Sequence, residues 1–465
     1  MRNKYIDLVE QTFDFPQEEF FVKNNELYFN EIPLMDVIRQ YGTPLKISYL
    51  PKISQQIQKA RRFFNVAMAK VDYKGKYFYS YCTKSSHFSF ILQEVLKNNS
   101  HIETSSAFDI NIVENLYKEG YLDIDRYIIC NGFKREQYLK NISRLVKNGF
   151  KNVIPVLDNI EEVDFYLNEL KGYNLQLGIR IATEEEPKFM FYTSRLGIRY
   201  EDILPLYKTK LSNISGFKLK MLHFFINTGI KDTAYYWNEL SKAVNLYIQL
   251  KKLNPDLEFL NIGGGLPIKN SLSFEYYYEY MIEEIIYQIK NTCNNAGVQE
   301  PNIFTEFGTF TVGESMAHLY TIINQKKQND RELWNMIDSS FLTTLPDSWA
   351  INQKFLLLPI NHWDKEYERV FLGGLTCDSD DYYNSEIHSN AIFLPKISTL
   401  ETPLHIGFFH TGAYQDALAG YGGIQHCLIP APKHVLIDRK ENGEFVTKLF
   451  AKEQTYKSML KILGY

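Results

Sequence analysis

Between about residue 45 and residue 330 the chain repeats one pattern, a short and nearly uncharged apolar run followed by a longer amphipathic stretch. The apolar runs are Leu45-Ser48, Phe78-Cys82, His101-Thr104, Tyr127-Cys130, Val153-Leu157, Leu177-Ile181, Leu219-Phe225, Phe259-Ile262 and Ile303-Glu306. Helical periodicity between them covers Ile53-Ala69, Phe88-Lys97, Ala107-Glu119, Arg135-Asn148, Tyr235-Leu253 and Phe274-Asn295. A strand covered on both faces reads as continuous apolar sequence rather than as an alternation, so these repeats describe a parallel sheet under helices. At this length the closed (β/α)8 TIM barrel is the expected form. An open doubly wound sheet is the alternative, but such sheets carry GxGxxG after the first strand, and this chain does not.

After Asn329 the amphipathic helices stop and strand-like runs follow, at Phe355-Pro359, Glu368-Gly373, His405-Phe409, Lys433-Ile437 and Thr447-Phe450. Gly422-Gly423 and Asn442-Gly443 mark turns between them. Phe21 to Pro33 also reads as extended and is expected to pair with this C-terminal β-domain. The domain expectation is therefore residues 1–44 joining the β-domain, 45–330 as the barrel and 331–465 as the β-domain itself. A net charge of -4 gives no basic excess for nucleic acid. No apolar run reaches transmembrane length, and the charged N-terminal stretch lacks a signal-peptide core. Five scattered cysteines without CxxC spacing argue against a zinc site or disulfide framework and for reduced thiols. A cytoplasmic location, with no metal and no membrane or nucleic-acid partner, is the expectation.

Five places carry chemistry. Lys84 ends the aromatic run Tyr77-Phe78-Tyr79-Ser80-Tyr81-Cys82. At the mouth of a buried strand it is expected to be partly desolvated, which favours the neutral, nucleophilic amine of a Schiff-base lysine. The ordinary alternative is a lysine that snorkels to water. Gly263-Gly264-Gly265 follow a strand directly, where bare backbone N–H groups can approach a phosphate; a flexible turn would need one glycine, not three. Glu306 ends the last barrel strand, placed to hold a pyridine nitrogen protonated. Cys377-Asp378-Ser379-Asp380-Asp381 gathers one thiol and three acids, a set suited to a cationic substrate end, with a solvated acidic turn as the plain reading. Tyr414, after Gly412-Ala413, adds a phenol able to reach a phosphate oxygen.

In this order, these elements resemble the fold type III pyridoxal-phosphate decarboxylases, from about Tyr41 to the C-terminus. Within that group the chain is similar to the biosynthetic arginine decarboxylases. That narrower likeness lies in Ile129-Cys130-Asn131-Gly132-Phe133-Lys134, Gly178-Ile179-Arg180-Ile181-Ala182-Thr183, Leu345-Pro346-Asp347-Ser348-Trp349-Ala350-Ile351 and Cys377-Asp378-Ser379-Asp380. The resemblance implies pyridoxal 5'-phosphate held on Lys84, its phosphate on Gly263, Gly264, Gly265 and Tyr414, its ring nitrogen on Glu306, and Arg180 nearby. It further implies a homodimer in which Cys377, from the partner subunit, returns the proton after CO2 leaves. Asp378 and Asp380 would then face the substrate's distal cation.

The implied reaction is decarboxylation of a basic amino acid, arginine to agmatine first, as in polyamine biosynthesis. Ornithine, lysine, diaminopimelate or a carboxylated polyamine such as carboxynorspermidine are the alternatives. Two positions depart from the family. Phe225 stands where a histidine usually stacks on the ring, with His223 two residues earlier expected on the same strand face. Thr309 stands where a phosphate-binding arginine is usual, which removes a charge-assisted contact of about 1.5–3 kcal/mol. A racemase on the same barrel is a rival, and a catalytically eroded binding homologue is another. The joint presence of Lys84, the three glycines, Glu306 and Cys377 speaks against erosion.

Overall fold

The computed structural model describes residues 4–184, 190–397 and 402–465. Within it the chain divides into two compact units, one of residues 53–267 and 276–311, the other of 1–52, 268–275 and 312–465.

The first unit is a closed barrel of eight parallel strands. They are β1 (Tyr77–Cys82), β2 (His101–Thr104), β3 (Ile128–Cys130), β4 (Val153–Leu157), β5 (Leu175–Arg180), β6 (Phe217–His223), β7 (Phe259–Asn261) and β8 (Asn302–Glu306). Each pairs with its sequence neighbour, and β8 closes onto β1 with Glu306 opposite Ser80. Phe78, Tyr127, Ile129, Ile154, Val156, Met221, Phe259 and Phe304 fill the interior as one apolar cluster. This plug leaves the chain one usable rim, the C-terminal ends of the strands, where active sites of such barrels sit. The helices are amphipathic as expected; Ala107–Lys118 starts at a reciprocal cap, Ser106 accepting from the Asp109 N–H while Asp109 accepts from the Ser106 N–H. Two further helices, Glu161–Glu169 and Tyr200–Thr209, were too weakly patterned to stand out.

The second unit holds a ten-stranded sheet. Its longest strand, Met316–Lys327, pairs antiparallel with Leu45–Tyr49, Leu333–Ile337 and His405–Phe409. Leu45–Tyr49 thus belongs to this sheet and not to the barrel where its apolar sequence suggested it lay, and Met316–Lys327 also falls outside the barrel despite preceding residue 330. The reason is physical: Leu45–Tyr49 is buried on both faces in this sheet, and continuous apolar character reports double burial without saying which sheet supplies it. The segment expected to pair with the C-terminal strands instead forms its own three-stranded meander, Phe20–Lys23, Glu26–Phe29 and Ile32–Pro33. It joins the unit through a shared core with Leu45, Ile47, Leu356, Phe409 and Val435, and through the Leu27 N–H to the Ile360 carbonyl at 2.7 Å.

Candidate functional site

Lys84 sits on a single 3-10 turn, Thr83–Ser85, that leaves the end of β1. Ser85 Oγ donates to the Cys82 carbonyl at 2.7 Å and Tyr81 OH to the Ser86 carbonyl at 2.8 Å, so the turn is tied down on both sides. Lys84 is exposed, more so than the expected partial desolvation, while Thr83, Ser85 and Ser86 on either side of it are buried. What surrounds its ammonium is charge: Glu103 on β2 and Glu306 on β8 both feel it.

Glu306 is almost wholly buried, with Oε1 accepting from Asn131 Nδ2 at 2.8 Å and from Asn261 Nδ2 at 2.5 Å. Burial raises its pKa above the ordinary carboxylate range, against the opposing pull of these amides, Lys84 and Arg180. His223, the last residue of β6, brings Nε2 to 3.8 Å from Glu306 Oε2. Burial, with Arg180 nearby, holds this imidazole down to about 3, so it is neutral beside Glu306. His223 and Phe225 do not share a strand face, since β6 ends at His223. Past that end, the Phe225 ring lies 5.9 Å from Lys84 Nζ and 5.8 Å from the Arg180 guanidinium carbon, a cation near the ring from either residue.

The glycine turn after β7 is required by close approach. A Cβ on Gly264 would stand 2.2 Å from the Glu306 carbonyl oxygen, and one on Gly263 2.8 Å from the Phe224 carbonyl oxygen. Gly263 and Gly265 also have positive φ, 71° and 96°. The Gly263 N–H donates to Asn261 Oδ1 at 3.0 Å. Lys84, Arg180, His223, Phe225, Gly263, Gly264, Gly265 and Glu306 thus come from the ends of β1, β5, β6, β7 and β8 on one rim.

Three partners of this group gave no signal of their own. Glu103 is fully buried on β2, and its pKa is raised to about 7 by burial, with Glu306 adding to the rise. Asn131 and Asn261 lie inside stretches already singled out, but an amide at a strand end is indistinguishable in sequence from a turn residue.

The remaining candidates belong to the sheet unit. Cys377, Asp378 and Asp380 are exposed on the loop after strand Tyr367–Gly373. The third acid of the run is different: Asp381 is buried and accepts from the Phe341 N–H at 2.8 Å, the Thr376 N–H at 3.0 Å and Thr376 Oγ1 at 2.7 Å. It shapes the loop and leaves the other two acids outward. Asp378 faces His426 Nε2 at 3.5 Å, and Cys377 Sγ lies 3.6 Å from Cys427 Sγ. Tyr414, half-buried, has φ +69°, a strained value for a residue with a Cβ. Among the described residues no helix is long and apolar enough to cross a membrane.

A family model for the pyridoxal-dependent decarboxylase pyridoxal-binding domain matches residues 52–313, more than half of the chain. The chain belongs to this family. The biosynthetic arginine decarboxylase of Prochlorococcus marinus (strain MIT 9215) is 23% identical over 92% of this chain and 83% of its own length. Among solved structures, the biosynthetic arginine decarboxylase of Campylobacter jejuni matches with TM-score 0.82 at 20% identity, covering 100% of this chain and 91% of that one. Diaminopimelate decarboxylase from M. jannaschi matches with TM-score 0.79 at 18% identity, covering 96% and 97%. At such identities the solved structures establish the barrel-plus-sheet fold and no more. Pyridoxal phosphate is the cofactor that goes with the family. The rim fits such a group: His223 Nδ1 and both Glu103 oxygens are buried without a hydrogen-bond partner, and the glycine turn leaves a cradle side chains would fill.

Proposed function

We propose that this protein decarboxylates a basic amino acid, with L-arginine the first substrate and agmatine and CO2 the products. The observation that carries the reading is the convergence of an exposed lysine, a buried carboxylate fixed by two amides and a side-chain-free turn on one barrel rim. Bound pyridoxal phosphate supplies an electron sink for the pair released when the Cα–carboxylate bond breaks. Lys84 is the amine that holds it. Glu306 would hold the ring nitrogen protonated, and Asn131 and Asn261 keep that carboxylate from turning away. Phe225 offers an apolar face at the position where the resemblance leads one to expect a histidine; a phenyl ring packs there but cannot donate a hydrogen bond. Neutral His223 fills the space beside Glu306 without adding a charge. Gly264 and Gly265 bind the phosphate, since the Gly263 N–H is already engaged by Asn261.

Cys377 delivers the proton to Cα, and Asp378 and Asp380 receive the substrate's distal cation. Arginine is favoured because two outward carboxylates suit the planar guanidinium fork. Cys377, Asp378 and Asp380 act on the site of a second subunit, which makes the working form a homodimer. The test is incubation of the holoprotein with arginine, ornithine, lysine, diaminopimelate and carboxynorspermidine, reading CO2 and the amine formed. Agmatine formed fastest supports the proposal. Preference for diaminopimelate would refute the guanidinium assignment of the two acids, and loss of optical rotation without CO2 would refute decarboxylation.

A further inference from the structure

We propose that Cys377 and Cys427 are a peroxide-sensitive thiol pair that closes into a reversible disulfide. The chain has five cysteines, and the three others, Cys82, Cys130 and Cys293, are buried. Cys377 and Cys427 are the exposed two, and they lie 50 residues apart in sequence with their sulfurs 3.6 Å apart, in van der Waals contact. The same two loops meet a second time, one residue along each, at Asp378 Oδ2 and His426 Nε2, 3.5 Å apart. Their approach is thus fixed at two adjacent points within one compact unit. Cys427 and Leu428 both have positive φ, 52° and 54°. A left-handed pair of non-glycine residues costs energy.

Closure needs the sulfurs to move from 3.6 Å to a bond of about 2.0 Å. The oxidant is a hydroperoxide. It takes two electrons from one thiol, giving a sulfenic acid and one water. The second sulfur then displaces hydroxide, which leaves as a second water with that thiol's proton, and the S–S bond forms. Two thiols and one hydrogen peroxide yield one disulfide and two waters. A dithiol reductant reverses the step. The functional consequence rests on the proton-donor reading of Cys377 above: in the disulfide that thiol has no proton to give, and the enzyme is switched off.

The experiment treats the full-length holoprotein with hydrogen peroxide, quenches, denatures, counts free thiols and maps peptides by mass spectrometry. The expected result is a fall from five thiols to three and a peptide pair joining Cys377 to Cys427, lighter by two hydrogens and split by dithiothreitol. CO2 release is expected to fall about 100-fold, the span a lost proton donor commands, and to recover with dithiothreitol. Cys427→Ser is expected to keep basal activity and to lose the linked peptides. Retention of five thiols, or oxidation of Cys377 to sulfinic acid or to an intermolecular disulfide with Cys427 still free, overturns the proposal. Linked peptides with undiminished CO2 release leave the disulfide standing and refute the role given to Cys377.

Discussion

Replacing Glu103 by glutamine is expected to stabilise the cofactor-free protein, and to do so mainly above neutral pH. Glu103 is fully buried, and burial raises its pKa from 4.5 to about 7, with the Glu306 charge adding to the rise and the Lys84 charge opposing it. Between those two values the folded chain holds a proton that the unfolded chain releases, so stability falls as pH rises through the window. Above it both states are ionised and the full cost stands, about 3 kcal/mol at ~1.4 kcal/mol per pH unit. Below it both are protonated and the cost vanishes. Glutamine has nearly the same volume and never ionises, and any cost of burying its amide is the same at every pH. The stability gap between Glu103→Gln and the parent is therefore expected to widen by about 2 kcal/mol from pH 5 to pH 8. In thermal unfolding of a chain this long the relative shift is roughly 2 °C, followed by circular dichroism on both proteins at both pH values. A gap equal at the two pH values, or larger at pH 5, would refute the claim that Glu103 is ionised against its surroundings. A carboxylate kept beside Lys84 at this cost belongs to the class of perturbed groups that cluster at functional sites.

Lys84→Ala is expected to abolish the visible absorption band of the purified holoprotein, while Cys377→Ala leaves the band and lowers turnover; an unchanged band in Lys84→Ala would remove that lysine from the site. Gly264→Ala puts a Cβ 2.2 Å from the Glu306 carbonyl oxygen, a backbone atom that cannot swing away. It is expected to cost about 3 kcal/mol by overpacking, a fall of roughly 3 °C in melting temperature, and to release the cofactor on dialysis; an unchanged melting temperature would contradict the close approach.

Most of the barrel was legible because its strands are covered on both faces and carry little but apolar side chains, so residue type alone marks them. The same argument misplaced Leu45–Tyr49, whose double burial comes from the sheet unit. Lys84 itself is more exposed than expected, yet its charge acts on the buried carboxylates of Glu103 and Glu306, a pairing that no local stretch of sequence shows. Glu103 escaped notice because a lone acid in His-Ile-Glu-Thr looks like a surface residue, and only closure of the barrel puts it under Lys84. Asp381 could not be told from Asp378 and Asp380 until the loop showed one acid turned inward onto backbone N–H groups.

The amino-acid order by itself determined the repeating strand–helix architecture and which residue types stand at the strand ends, since both follow from short-range periodicity and turn chemistry. Tertiary structure decided which carboxylates lose their water, which thiols meet and which sheet a buried strand joins. Those outcomes depend on residues far apart in the chain, and burial, charge and contact are set by what the fold brings to each atom.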